Sequence, residues 1–115
     1  QLLSEDVDLI LSHHDFEGMI DEPELTMLTQ AMSKAKPKAI KIVPTATTPA
    51  DAARILRWVA DADDDIVRIG FAMGAAGACS RVLTVAFGAP ITYASFGRPV
   101  APGQVAMDDL LELYR

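Results

Sequence analysis

The chain alternates between short apolar runs and longer segments whose apolar residues recur at helical spacing. The apolar runs have the length of β-strands and lie at Val7–Ser12, Lys38–Thr45, Ile66–Met73 and Pro90–Tyr93. The segments that follow them predict helices beginning near residues 21, 48, 80 and 107. The pattern therefore predicts four consecutive strand–helix units with short connections.

Two of the predicted helices begin with clear capping signals. Acidic residues surround Pro23 at the start of the first helix, as is common in a first helical turn. Thr48 is a good N-cap for the second helix, with Pro49 at its first position. In that second helix the apolar stripe is formed by Ala52, Ile55, Leu56 and Val59. The capping signals indicate where each helix begins, and the apolar stripe indicates which side of the second helix is expected to face a core.

Strands that alternate with helices are typical of an α/β fold with a parallel sheet. The near-continuous apolar strands agree with burial on both faces. Two architectures fit, a small open sheet or half of an eight-stranded barrel, because a complete barrel needs about 250 residues. A dinucleotide-binding fold has little support, since no GxGxxG motif follows the first strand. We expect residues 1–115 to form a single partial domain.

Charge and cysteine content narrow the possible functions. The net charge of −6 and the absence of a basic cluster argue against nonspecific binding to nucleic acid. The run Asp61–Asp65 is expected to be a solvated connection rather than a metal site, because consecutive carboxylates point apart. A single cysteine, Cys79, excludes an internal disulfide, and we expect it to be a buried packing residue. Without a membrane-length apolar stretch or a leader, the default location is the cytoplasm.

Lys41 lies in the middle of the second apolar strand. Because side chains alternate along a strand, Ala39, Lys41 and Val43 share one face and Ile40 and Ile42 the other. A buried lysine tends to lose its charge and become a nucleophilic amine. The alternative is a lysine whose charged end reaches solvent, which is the commoner situation.

Further polar residues fall at the ends of the predicted strands, where ligands bind in parallel α/β folds. A lysine can form a Schiff base, a histidine can move protons and an arginine can hold a carboxylate. Together they would suit an anionic carbonyl substrate. The set consists of Ser12, His13 and His14 at the end of the first strand, Lys41 within the second, Met73 at the end of the third, Arg81 at the start of the helix after it, Tyr93 at the end of the fourth, and Gln104.

Each of these residues also has a simpler explanation. The two histidines could belong to a surface loop, and a pair of adjacent histidines is a poor zinc site without further ligands. Arg81 could pair with a neighbouring acid, and Gln104 could cap a turn. Taken together, their positions at successive strand ends favour a functional site.

The ordered set of short motifs resembles the type I 3-dehydroquinate dehydratases. Their spacing is kept from about Val7 to Gln104, which makes the set more specific than any one motif. The motifs are Ser12–Phe16, the strand Ala39–Ile42, Met73 with Ser80–Arg81, the segment Phe87–Tyr93, and the loop Ala101–Gln104.

The resemblance implies a (β/α)₈ barrel that converts 3-dehydroquinate to 3-dehydroshikimate in the shikimate pathway of aromatic amino acid biosynthesis. Lys41 would form the imine with the substrate ketone, and His14 would transfer the adjacent proton. Arg81 would hold the substrate carboxylate with help from Gln104. The remaining substrate contacts would come from Ser12, Met73 and Tyr93. The resemblance implies no cofactor and no metal.

The chain departs from the family pattern in three ways. His13 stands where tyrosine is usual, and Val100 replaces a serine that would help to bind substrate. The match covers only the carboxyl-terminal half, that is, four βα units of the barrel. An isolated half-barrel would leave two sheet edges open, so we expect a homodimer or pairing with the missing half. The end, Asp108–Arg115, resembles the junction to a shikimate dehydrogenase domain in bifunctional proteins.

Two other functions fit the same sequence. One is a non-catalytic half-barrel that serves oligomerisation or regulation and retains idle site residues. The other is a different Schiff-base barrel, such as an aldolase. The ordered His14, Lys41, Arg81 and Gln104 favour the dehydratase over the aldolase.

Overall fold

The computed structural model describes residues 7–63, 65–94 and 103–114, and it contains three strands and four helices in that part of the chain. The strands are β1 (Ile10–His14), β2 (Ala39–Val43) and β3 (Val67–Gly70). The helices are α1 (Glu22–Ser33), α2 (Pro49–Ala60), α3 (Ala78–Leu83) and α4 (Met107–Leu113), with a 3₁₀ turn at Ala75–Gly77 before α3. The predicted α/β class is confirmed.

The three strands form one parallel sheet in the order β1-β2-β3. Lys41 is the register partner of Ser12 on one side and of Ile69 on the other. Beyond the strands proper, Thr45 and Met73 form an isolated parallel bridge. The ends of β2 and β3 are thereby held together past the last regular pair.

The sheet buries apolar side chains on both faces, as its continuous apolar strands predicted. On one face, Ile40 and Ile42 are fully buried in a cluster with residues of the two long helices, among them Leu25 and Ile55. The opposite face carries Lys41 and has a second cluster, which consists of Ala39, Val43, Ile69, Phe71 and Met73. The face that carries Lys41 is therefore the one turned away from α1 and α2.

Side-chain caps explain where the long helices begin. Asp21 caps α1 by accepting a hydrogen bond from the backbone N–H of Glu24 at 2.8 Å. Thr48 and Asp51 form a capping box at the start of α2, as the sequence predicted for Thr48. Hydrogen bonds from the backbone of Thr47, with smaller contributions from other neighbours, hold the pKa of Asp51 below its ordinary value. A side-chain cap thus fixes the residue at which each long helix begins.

Two predictions about structure need correction. The fourth strand, Pro90–Tyr93, is not confirmed, because within the described residues this segment belongs to no ladder. Pro90 has no N–H to offer a neighbouring strand, and the Thr92 hydroxyl ties the segment to α3 by donating to the Arg81 carbonyl at 2.6 Å. Cys79 is exposed rather than buried, because it lies on the outer side of α3 while Ser80 and Arg81 face inward.

The predictions for the apolar stripe of α2 and for the acidic run hold. The apolar stripe of α2 is buried, and the described members of the acidic run, Asp61, Asp63 and Asp65, are exposed. In the ranges that the structure covers, no helix has the length and hydropathy needed to cross a membrane.

Truncation of Ile55 tests the core between sheet and helices. Ile55 is fully buried, so Ile55→Ala should lower the free energy of unfolding by about 2–5 kcal/mol, measured by urea denaturation. Met27→Ala is the control, because Met27 is 68% exposed and its removal should change stability by less than about 0.5 kcal/mol. Equal effects of both substitutions would contradict the assignment of Ile55 to the core.

Candidate functional site

The pairing of β1 with β2 brings three of the predicted site residues onto one face of the sheet. Ser12 lies directly beside Lys41, and His14 follows two residues further along β1, beside Val43. Neighbouring strands lie about 4.8 Å apart, and residues i and i+2 of a strand point the same way. Ser12, His14 and Lys41 therefore lie on the face turned away from α1 and α2. Ser12 and His14 are exposed, whereas Lys41 is partly buried.

The loop after β1 fixes the position of His14. The backbone N–H of Asp15 donates to the Val43 carbonyl at 3.0 Å, which continues the ladder past His14. The Asp15 carboxylate accepts from the backbone N–H groups of Glu17 and Gly18, closing a tight turn. The His14 ring stacks on Phe16 with centroids 6.0 Å apart. The imidazole is thus held at the end of the strand, before the chain turns away.

The pKa of His14 lies below its ordinary value of 6.5. Partial burial of the ring contributes most, and the positive charges of Lys41 and His13 act in the same direction. A substitution can remove a neighbouring charge, so the contribution of Lys41 to the lowered pKa of His14 can be tested. At neutral pH the imidazole is mainly uncharged and can accept a proton.

Aromatic rings surround the amine of Lys41. Its Nζ lies 3.9 Å from the centroid of the Tyr93 ring and 6.0 Å from that of Phe71. The two rings contact each other at 5.8 Å with planes inclined by 54°. The negative faces of such rings attract an ammonium group. In this structure Lys41 therefore packs against aromatic rings rather than extending fully into solvent.

Arg81 comes from α3 and is only 4% exposed. The hydroxyls of Ser80 and Thr84 fasten this helix to β3 and the segment after it. Ser80 Oγ accepts from the backbone N–H of Ala72 at 2.7 Å, and Thr84 Oγ1 donates to the carbonyl of Gly70. Burial lowers the pKa of Arg81, although a guanidinium keeps its charge at any physiological pH.

The Arg81 guanidinium faces the same aromatic ring as Lys41. Its Cζ lies 4.6 Å from the centroid of the Phe71 ring. Its Nε is buried and has no hydrogen-bond partner in the described part of the chain. A buried donor without a partner is unfavourable, and an anionic ligand is one way to satisfy it.

Met73 and Gln104 belong to segments that meet at the end of β3. Met73 is buried, and its backbone N–H donates to the Pro44 carbonyl at 2.7 Å. Gly103, the neighbour of Gln104, packs so closely on Gly74 that an added Cβ would come within 2.1 Å of the Gly74 carbonyl oxygen. The partly buried Gln104 is therefore near the same end of the sheet. Val100 lies outside the described residues.

One member of the site did not emerge from the sequence. Phe71 contacts Lys41, Arg81 and Tyr93, yet polar residues at strand ends give the clearest sequence signal of chemistry, and Phe71 is apolar. The alternation of side chains could have found it, because Phe71 is two residues beyond Ile69, the register partner of Lys41.

Two further features help to delimit the site. Across the described stretches, no group of three or more His, Cys, Asp or Glu side chains converges to hold a metal ion. A groove of about 770 Å³ lies between the outer sides of α1 and α2, lined by residues such as Thr29, Trp58 and Arg68. We do not assign the reaction chemistry to this groove, because Lys41, His14 and Arg81 all lie elsewhere.

Substitution of Lys41 should change the titration of His14. Lys41→Met removes a nearby positive charge, so the pKa of His14 should rise toward 6.5, measured by NMR titration of the ring protons. Lys38→Met removes the same charge from an exposed neighbouring position and should have a much smaller effect. Equal rises in both variants would show that net charge, not proximity, controls His14.

Gly103→Ala should disturb the segment that carries Gln104. Gly103 has φ of +77° and contacts the Gly74 backbone, so a methyl group meets both backbone strain and a clash. We expect the free energy of unfolding to fall by about 1–3 kcal/mol, with faster hydrogen exchange in residues 103–114. Gly18→Ala is the control, because a Cβ added at Gly18 would meet no heavy atom within 4 Å. Unchanged exchange in Gly103→Ala would contradict the close packing.

Comparison with known proteins places these observations in a family. A family model described as type I 3-dehydroquinase matches residues 1–115. A 3-dehydroquinate dehydratase from Thermococcus gammatolerans is 42% identical over 107 residues, which cover 93% of this chain and 48% of that relative. A second one, from Pyrobaculum aerophilum, is 42% identical over 102 residues, covering 87% of this chain and 32% of the relative.

Solved structures of 3-dehydroquinate dehydratases are also similar to this chain. The 3-dehydroquinate dehydratase from Geobacillus kaustophilus matches with a TM-score of 0.84 at 28% identity, over 93% of this chain and 42% of that protein. The dehydroquinate dehydratase and shikimate dehydrogenase from S. pombe matches with a TM-score of 0.69 at 29% identity, over 94% of this chain and 21% of that protein. The chain thus spans at most about half the length of these relatives. Since the family model extends over all 115 residues, the chain belongs to the type I 3-dehydroquinase family.

Proposed function

We propose that this chain provides the imine-forming half of a 3-dehydroquinate dehydratase site. The observation that carries the proposal is the convergence of an amine and a guanidinium on one aromatic ring: Lys41 Nζ and Arg81 Cζ both lie over Phe71. A substrate with a ketone and a carboxylate can engage both groups at once. The curated relatives at 42% identity are named 3-dehydroquinate dehydratase, which supports this substrate.

The proposed reaction begins at Lys41. Its unprotonated Nζ attacks the substrate ketone to give a carbinolamine, which takes up a proton from solvent and loses its oxygen as water to form a protonated imine; the final hydrolysis returns that proton to solvent. The imine acidifies the neighbouring C–H, and His14 takes that proton to leave an enamine. The enamine electrons expel the hydroxyl group one carbon further on, which departs as water with the proton from His14. Hydrolysis of the imine then releases 3-dehydroshikimate and restores Lys41.

The other site residues would bind and orient the substrate. The buried guanidinium of Arg81 is suited to a carboxylate because its Nε has no partner in the described residues. Gln104 would assist it from the segment that packs on Gly74. Ser12 would contact the substrate from the strand position beside Lys41, and Met73 and Tyr93 would line the apolar side. This scheme requires no cofactor and no metal.

The lowered pKa of His14 has a defined consequence for this scheme. An imidazole must be uncharged to accept a proton, and the lowered pKa of His14 extends the pH range in which the uncharged form predominates to below 6.5. The proton-transfer rate should therefore decline only as the pH falls below that value.

We further propose that residues 1–115 form one partial domain, the second half of a (β/α)₈ barrel with four βα units. The segment 90–93 would complete its fourth strand only when a neighbouring strand is present. The opposite edge, β1, has 51% of Ile10 exposed, and Val7 before it is 52% exposed. The partner would be the amino-terminal half of the barrel or a second copy of this chain. A following shikimate dehydrogenase domain and a cytoplasmic location also remain predictions.

Reductive trapping tests the imine directly. The chain is incubated with 3-dehydroquinate and sodium borohydride, alone and with the complementary half of a relative, and the adduct is located by peptide mass mapping. We expect the adduct on Lys41, because borohydride reduces the imine to a stable secondary amine.

Two variants make this test specific. Lys41→Ala should abolish the adduct, and Lys38→Ala, which removes an exposed lysine three residues earlier, should leave it intact. Absence of an adduct in a folded sample, with and without the complementary half, would refute imine formation at Lys41 and favour the non-catalytic alternative.

A further inference from the structure

Phe71 is the residue through which the two cationic groups of the site are connected. It is 3% exposed and follows β3 on the sheet face that carries Lys41. Its ring centroid lies 4.6 Å from Arg81 Cζ and 6.0 Å from Lys41 Nζ. The two positive charges can therefore be no farther apart than the sum of these distances.

We propose that Phe71 is a positioning residue that sets the spacing between the amine of Lys41 and the guanidinium of Arg81. It would thereby select ketones whose carboxylate lies at the matching distance from the carbonyl. The proposal rests on the proposed function, because it assigns Lys41 and Arg81 to the two ends of one substrate.

An aromatic ring suits this position for an electrostatic reason. Two cations close together repel each other, and this repulsion is strong where water is excluded. The negative face of a ring offsets part of that cost through cation–π contacts. A carboxylate in the same place would pair with Arg81 and compete with the carboxylate of the substrate. The ring stabilises the guanidinium while leaving its hydrogen-bond donors available.

The neighbouring contacts hold the ring in place. Tyr93 packs on Phe71 at 5.8 Å, and its own ring covers Lys41 Nζ at 3.9 Å. On the other side, Ser80 accepts a hydrogen bond from the backbone N–H of Ala72, the residue next to Phe71. The helix that carries Arg81 is therefore fastened to the chain one residue away from the ring that Arg81 contacts. Movement of Phe71 should displace both cations relative to each other.

The test compares two ketones in the trapping reaction of the full chain, with the complementary half added if the chain needs it. 3-Dehydroquinate carries a carboxylate, whereas cyclohexanone does not. We expect the wild-type chain to trap 3-dehydroquinate at least about tenfold faster than cyclohexanone at equal subsaturating concentration. Phe71→Leu should reduce this ratio at least about fivefold while changing cyclohexanone trapping little, since a small misplacement strongly affects two-point binding.

Controls separate positioning from general damage. Phe87→Leu makes the same chemical change at a ring that is 42% exposed, and it should keep the wild-type ratio. Phe71→Tyr retains the ring and should also keep it. If Phe71→Leu fails to fold, Phe71→Met preserves more of the volume and should show the same loss of preference.

The outcomes distinguish the two proposals. An unchanged ratio in folded Phe71→Leu or Phe71→Met, with normal trapping of both ketones, would overturn the role of Phe71 and leave the imine mechanism standing. Failure of the wild-type chain to trap either ketone, even with the complementary half, would overturn the proposed function and this inference with it.

Discussion

Parallel pairing of three short strands in one register is the constraint on which the candidate site depends. The pairing of Ser12 with Lys41 and of Lys41 with Ile69 decides which side chains share a face. A slip of one residue in β1 would turn Ser12 and His14 toward α1 and α2, because strand side chains alternate. The burial of Ile40 and Ile42 against the helices prevents the equivalent slip in β2. Core packing thus determines where the polar groups point.

The site combines positive charge with aromatic surface. Lys41 and Arg81 contact the ring of Phe71, and partial burial, followed by the charges of Lys41 and His13, lowers the pKa of His14. Positive potential of this kind favours an anionic ligand and adds to the effect of burial in disfavouring protonation of a nearby imidazole. The same potential would destabilise the empty site if rings did not cover the cations. Aromatic side chains therefore have an electrostatic role here in addition to their packing.

The sequence predicted the features that depend on local pattern. The cap at Thr48 and the stripe through Ile55 follow from residue type and spacing, and both are confirmed. The strand that contains Lys41 left two locations open for its amine, and the structure shows the side chain partly buried beside aromatic rings. Phe71 could not be singled out by residue type, because an apolar residue near a strand end gives no sign that two cations will contact it. The exposure of Cys79 depended on the rotation of a short helix, which its few residues do not specify.

The supports of the amine and of the guanidinium are mechanically different. Lys41 and His14 lie on neighbouring strands joined by a continuous backbone ladder, which fixes the spacing of their backbones. Arg81 lies on a helix of six residues, too short to be stable alone, which side-chain hydroxyls of Ser80 and Thr84 fasten to the sheet. Loosening of these two fastenings would let the helix drift without separating the amine from the imidazole. The position of the guanidinium can therefore change during the evolution of this fold while the spacing between the amine and the imidazole is kept.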